Sequence, residues 1–161
     1  MFTEDFVLQY IFKFEGFNME INWLDAVPLL VSVFLGGLIG LERQVHDKPA
    51  GLRTNILICL GSCVFTIIST KLPGAEPGRI AAQIVTGIGF LGAGAIIQSG
   101  ASVHGLTTSA CIWIVASIGM ACGTGMYFLA LIATILTLIA LMLLSPVDKR
   151  INRDRTDAKS Q

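Results

Sequence analysis

Glu42, Arg43, His46, Asp47 and Arg53 fall within residues 42–53 of this 161-residue chain. They are its densest run of groups able to do chemistry. Carboxylates are the hard oxygen ligands that magnesium takes while keeping several of its waters. Glu42 and Asp47 supply two, but Arg43, Lys48 and Arg53 lie beside them and oppose a divalent ion. Magnesium is therefore possible here but unsupported by ligand spacing, and no metal or other cofactor is assigned. The same types favour ion pairing. Glu42 and Arg53 flank a turn and are expected to pair across it; partial desolvation would raise the value above that of a surface pair, about 0–1 kcal/mol. His46 and His104 have the right chemistry for a pH sensor, and the simpler expectation is two solvated imidazoles.

Uncharged polar groups form a second set: Thr54, Asn55, Gln83, Gln98, Thr107, Thr108 and Ser109. A buried amide or hydroxyl needs a partner in an apolar phase, so bonds between helices are expected. Glu42, Arg43, Arg53, Asn55, His104 and Thr107 make up the candidate functional cluster. Catalysis has no comparable support. The chain shows no paired carboxylates at membrane depth, no Ser/His dyad there and no HExxH. A non-enzyme is expected. Cys59 and Cys63 are four apart on one helical face, with Cys111 and Cys122 elsewhere. No converging His or carboxylate completes a metal set, and adjacent turns of one helix suit a disulfide poorly. Small apolar packing residues are the expected role.

The elements that must position these groups are membrane helices. Mean hydropathy is +0.73 and 53% of residues are hydrophobic. The apolar run from Leu24 to Leu144 is broken only briefly. A span needs roughly 20 predominantly apolar residues. Five are read: 24–41, 52–70, 80–98, 106–122, and a fifth after Gly123-Thr124-Gly125 that reaches Leu144 and is stopped by Ser145-Pro146. Asn22 or Asp25 is available to cap the first. The fold expectation is all-α, a polytopic membrane helix bundle. Its parts are an N-terminal interfacial segment over 1–23, a transmembrane helical domain over 24–144 and a basic tail over 145–161. Residues 6–14 read as a short aromatic helix lying at the interface. The start carries Glu4 and Asp5 rather than a basic region, which does not fit a signal peptide.

Charge sets the expected orientation. Formal net charge is zero. Arg43, Lys48, Arg53 and the five basic residues after Pro146 would share one side, against Lys13, Lys71 and Arg79 on the other. This places the first loop and C-terminus in the cytoplasm and the N-terminus outside. The basic tail reads as a topology signal, and nothing supports a nucleic-acid partner. No charge lies in the middle of a span, which counts against a conventional ion-coupled transporter.

Gly87-Ile88-Gly89-Phe90-Leu91-Gly92 matches GxGxxG, but membrane-helix flanks remove the strand that a dinucleotide site requires. Close helix packing is the physical alternative. Gly36 and Gly40 are four apart, as are Gly89 and Ala93, while Gly87 and Gly94 share a face two turns apart. Together with Gly92 these glycines are expected to make the first and third helices the tight centre, within one chain or between two.

Four blocks in order resemble the signature of the MgtC/SapB family. They are Gly36-Gly37-Leu38-Ile39-Gly40-Leu41-Glu42-Arg43-Gln44, Pro49-Ala50-Gly51-Leu52-Arg53-Thr54-Asn55, the helix-three glycine run 87–94, and Val103-His104-Gly105-Leu106-Thr107-Thr108-Ser109-Ala110. The resemblance implies a multi-pass protein of the bacterial cell inner membrane, linked to magnesium homeostasis under limitation and to virulence in pathogens. It singles out Glu42, Arg43, Arg53 and the helix-three glycines. Many relatives carry an ACT-like soluble C-terminal domain, whereas only the short polar stretch 147–161 follows Pro146 here. The expected function is a non-enzymatic regulator acting through helix contacts, as a homo-oligomer or on another inner-membrane protein, in magnesium or envelope stress. The alternative is a transporter or channel for magnesium or another small solute, entered past Glu42, Asn55, Gln98 and Thr107.

Overall fold

The computed structural model describes residues 23–72, 76–100 and 102–157, and the side chains of Trp23, Pro77 and 144–157 are outside that description. The expected interfacial helix over 6–14, and Asn22 as a cap, lie outside the described residues. A single helical turn, Trp23–Asp25, leads into α1 (Ala26–Val45). Then come α2 (Leu52–Lys71), α3 (Pro77–Gly94), strands β1 (Ile97–Ser99) and β2 (Ser102–His104), α4 (Leu106–Gly123) and α5 (Tyr127–Asp157). Among the described residues the protein is all-α apart from one hairpin. Within that range three helices, α1, α2 and α4, are long and apolar enough to cross a membrane. α5 contributes a shorter apolar part, Tyr127–Leu143.

Chain breaks follow local chemistry. α1 ends in a Schellman arrangement: the Lys48 N–H donates to Arg43 O at 3.0 Å and the Asp47 N–H to Gln44 O at 3.2 Å. Asp47 takes the left-handed position (φ 52°) that glycine usually fills. α4 ends the same way, with Met126 N to Ala121 O (2.8 Å), Gly125 N to Cys122 O (2.9 Å) and Gly125 at φ 77°.

Two boundaries differ from the sequence reading. The third helix stops at Gly94, not Gln98, because Ile97, Gln98 and Ser99 pair antiparallel with His104, Val103 and Ser102. Gly105 (φ 88°) then turns the chain into α4; a Cβ there would sit 1.9 Å from Ala95 O, so only glycine fits. The fifth helix continues through Pro146 to Asp157. Proline removes one helical hydrogen bond and adds a local clash, and this 31-residue helix spans that fault.

The core lies among α1, α2 and α4. Leu35 and Ile39 of α1, Cys59 and Cys63 of α2, and Cys111, Val115, Ile118 and Cys122 of α4 are buried together. All four cysteines are free thiols filling small core volumes. α1 and α2 run antiparallel: a Cβ on Gly36 would meet Cys59 Cβ at 2.6 Å, and one on Gly40 would meet Leu52 Cα at 2.8 Å. α4 runs parallel to α2: a Cβ on Gly119 would collide with Cys59 O, and one on Gly123 would meet Cys63 O at 2.7 Å. Helix α2 thus lies between two Gly-xxx-Gly faces, an arrangement that lets backbones approach in lipid.

Within the chain the tight centre is therefore α1–α2–α4, and not the first helix against the third. Third-helix glycines divide. A Cβ on Gly92 would meet Ser109 Oγ at 2.8 Å, whereas one on Gly87, Gly89 or Gly94 would have no neighbouring atom within 4 Å. Their spacing marks where backbones are able to approach; it does not say that a neighbour in the same chain does so. α3 joins the rest through Ile84 and Ile88, which are buried with Ile112 and Ala116 of α4.

Three buried hydroxyls outside the set expected to bond between helices are satisfied within their own helices. Ser32 donates to Leu29 O, Thr66 to Ser62 O and Thr134 to Ala130 O, each at 2.8 Å. A helix carbonyl three or four residues back satisfies a hydroxyl without any neighbour. Asp25, expected as a side-chain cap, makes no cap bond and pairs with Lys71 at the far end of α2.

Candidate functional site

The cluster forms where α1 ends and α2 and α4 begin. Glu42 and Arg43 are successive residues in the last two turns of α1, and both are buried at 9% and 3% exposure. Arg43 Nε donates to Glu42 Oε2 at 2.5 Å and Nη2 to Oε1 at 2.8 Å. This is the two-pronged guanidinium–carboxylate geometry that makes charge-assisted bonds strong and directional. Removing these groups from water is costly, and mutual neutralisation makes their burial tolerable. Arg43 also complements the negative end of the α1 dipole, which Glu42 alone would oppose. His46 adds a third member: its Nδ1 lies 2.8 Å from Glu42 O and 3.2 Å from Glu42 Oε1. Its ring stays half exposed, whereas the pair does not.

Asn55 is fully buried beneath α1. Its Nδ2 donates to Ala50 O at 2.7 Å and to Gly51 O at 2.8 Å. The amide therefore holds the loop that leads into its own helix. Oδ1 accepts from Cys111 Sγ at 4.0 Å, tying that loop to α4. Gln44 completes the arrangement: its Oε1 accepts from Leu52 N at 3.4 Å, the first orphan donor of α2.

The remaining candidates share this end of the bundle without joining the buried group. Glu42 pairs with its neighbour Arg43, so the expected Glu42–Arg53 pair does not form. The turn of α2 carries Arg53 outward to an exposed position. His104 is exposed on β2. Thr107 is exposed, and Thr108 is the residue that α4 turns inward. Gln98 is exposed on the hairpin, with Nε2 3.4 Å from Gly100 O. Among the described residues no three His, Cys, Asp or Glu side chains come together in a metal-binding group.

The sequence reading leaves Gln44 and Thr108 out of the cluster and misses the packing role of Gly119 and Gly123. The four-residue spacing of Gly119 and Gly123 is the available signal for the last two.

A cavity of about 960 Å³ opens between α2 and α3 above α4. Leu57, Gly61 and Phe65 form one wall, Gly87, Leu91 and Gly94 the other, with Ile112 at its base and Arg53 at one end.

The family model described as "MgtC family" matches residues 29–150. A protein named MgtC from Salmonella typhi is 49% identical over 133 residues, which is 83% of this chain and 58% of that protein. The MgtC of Salmonella typhimurium (strain LT2) is 51% identical over 125 residues, 78% of this chain and 54% of its own. That of Brucella suis biovar 1 is 46% identical over 123 residues, covering 76% and 52%. The chain spans little more than half the length of these relatives. No solved structure matches it.

Proposed function

The chain belongs to the MgtC family, and on that premise we propose that it is a non-enzymatic regulator of the bacterial inner membrane. It crosses the bilayer several times, with the 46–51 loop and the C-terminus in the cytoplasm. It acts by helix contact with another membrane protein or a second copy, during magnesium limitation or envelope stress.

One observation carries this reading. α3 turns Ile84, Ile88 and Gly92 onto the rest of the described chain, and no described residue covers its opposite flank. That flank is Ala82, Thr86, Gly89 and Ala93, all exposed and all on one helical stripe. Small residues on a lipid-facing stripe let a second helix approach closely and gain dispersion contacts. The buried Glu42–Arg43 pair supports the same reading. Its atoms are engaged with each other, which suits a fixed joint better than an ion path.

The transport alternative has less support. Glu42 is closed off by Arg43, Asn55 is committed to the loop carbonyls, and Gln98 and Thr107 point outward. They line no common path.

Gly89→Leu is the test. The position has open space, so the variant is expected to express and fold normally. Co-purification of partner chains from native membranes is expected to fall sharply. A variant that keeps its partners would remove the α3 flank from the reading. Magnesium flux into proteoliposomes, lost on Glu42→Gln, would replace regulation by transport.

A further inference from the structure

We infer that the groove between α2 and α3 binds one anionic phospholipid, with an acyl chain along the groove and the phosphate at Arg53. The inference rests on the helices lying in a bilayer, and it does not depend on any protein partner.

The groove is built by absent side chains. Gly61 on one wall and Gly87 and Gly94 on the other each have no atom within 4 Å of a Cβ position. Its volume of about 960 Å³ falls near the top of the roughly 300–1,000 Å³ typical of small-molecule sites. Its lining is overwhelmingly apolar, and it opens sideways beside the exposed Leu57, Phe65 and Phe90. In a bilayer that opening faces hydrocarbon, so the surrounding acyl chains are the molecules at hand. At one end the groove meets Arg53 and Thr54. Arg53 is exposed and has no hydrogen bond or ion pair among the described residues. The positive end of the α2 dipole adds to the same field.

An apolar trough ending in one unanswered guanidinium matches an amphiphile with a negative head. Arginine recognises phosphate by its fork of N–H donors, and basic sites between membrane helices take lipid headgroups. The apolar helix faces of a second copy offer Arg53 no free carboxylate, and the exposed Asp47 lies off those faces in the loop after α1. α2, α3, α4 and the apolar part of α5 contain no Asp or Glu. α1 contains only Glu42, already held by Arg43.

The experiment is native mass spectrometry of the whole chain in detergent with equal amounts of phosphatidylglycerol and phosphatidylethanolamine. The wild type is expected to retain one phosphatidylglycerol with about fivefold or greater preference. Arg53→Gln should abolish the preference. Gly87→Phe should lose both lipids by filling the groove, and Gly61→Leu repeats that test from the facing wall. Equal retention of the two lipids by the wild type would overturn the proposal. So would a preference that survives Arg53→Gln, or retention unchanged in a folded groove-filled variant. A lipid-free dimer that disappears with Gly87→Phe would assign the groove to protein and also overturn it. Because Gly89 lies on the other flank of α3, failure here leaves the regulator test standing.

Discussion

Helices α2 and α3 use the same residue type in opposite ways. α2 is gripped by glycines of its neighbours: Gly36 and Gly40 from α1, Gly119 and Gly123 from α4. α3 carries glycines of its own at 87, 89 and 94, and no described residue comes within 4 Å of where their Cβ atoms would be. Lipid supplies no hydrophobic drive for helices to associate, so a missing side chain helps only where another backbone fills the space. The first set locks the fold together. The second leaves a helix with two flanks unfilled among the described residues, one bordering the groove and one proposed above for a partner.

This contrast is sharpened first at the charged end of the locked side. Arg43→Leu leaves Glu42 buried without its cation, and about 3–5 kcal/mol of stability should be lost. Denaturant titration in micelles, followed by circular dichroism, reads the loss. Next, the same exchange should have opposite signs at the glycines that grip α2 and at those carried by α3. Gly119→Ala pushes a methyl against Cys59 O and should cost about 1–3 kcal/mol or more. Gly87→Ala meets open space and should gain up to about 1 kcal/mol from helix propensity. Equal effects at the two positions in a thermal melt would end the distinction. The smallest effect lies at the end of α1. Asp47→Gly relieves a left-handed aspartate and should stabilise by about 0.5 kcal/mol, visible as a slight rise in melting temperature.

Much of the helix plan is legible in the sequence, because long apolar runs and turn residues report directly on spans and breaks. α2 and α4 start at the residues expected from their flanking glycines. Partner choice is not legible. Four-residue spacing places Gly36 and Gly40 on one face, yet only the folded chain shows that α2 occupies it. The expected Glu42–Arg53 pair fails for a related reason: turn residues suggest a contact across the loop, while adjacent side chains on the last helical turns fold onto each other. Thr107 and Thr108 are successive residues on a helix that is apolar all round, so periodicity gives no means of choosing between them. The β1–β2 hairpin is hidden because Ile97 and Val103 continue an apolar pattern, and only the pairing with Gly100 at φ 60° separates strand from helix.

The ion pair between Asp25 and Lys71 joins the beginning of α1 to the end of α2. At the other extremity, Gln44 and Asn55 hold the connecting loop. A hairpin stapled top and bottom cannot scissor open without breaking a polar contact at either extremity. Two ties so far apart make the α1–α2 hairpin the stiff strut of the described fold.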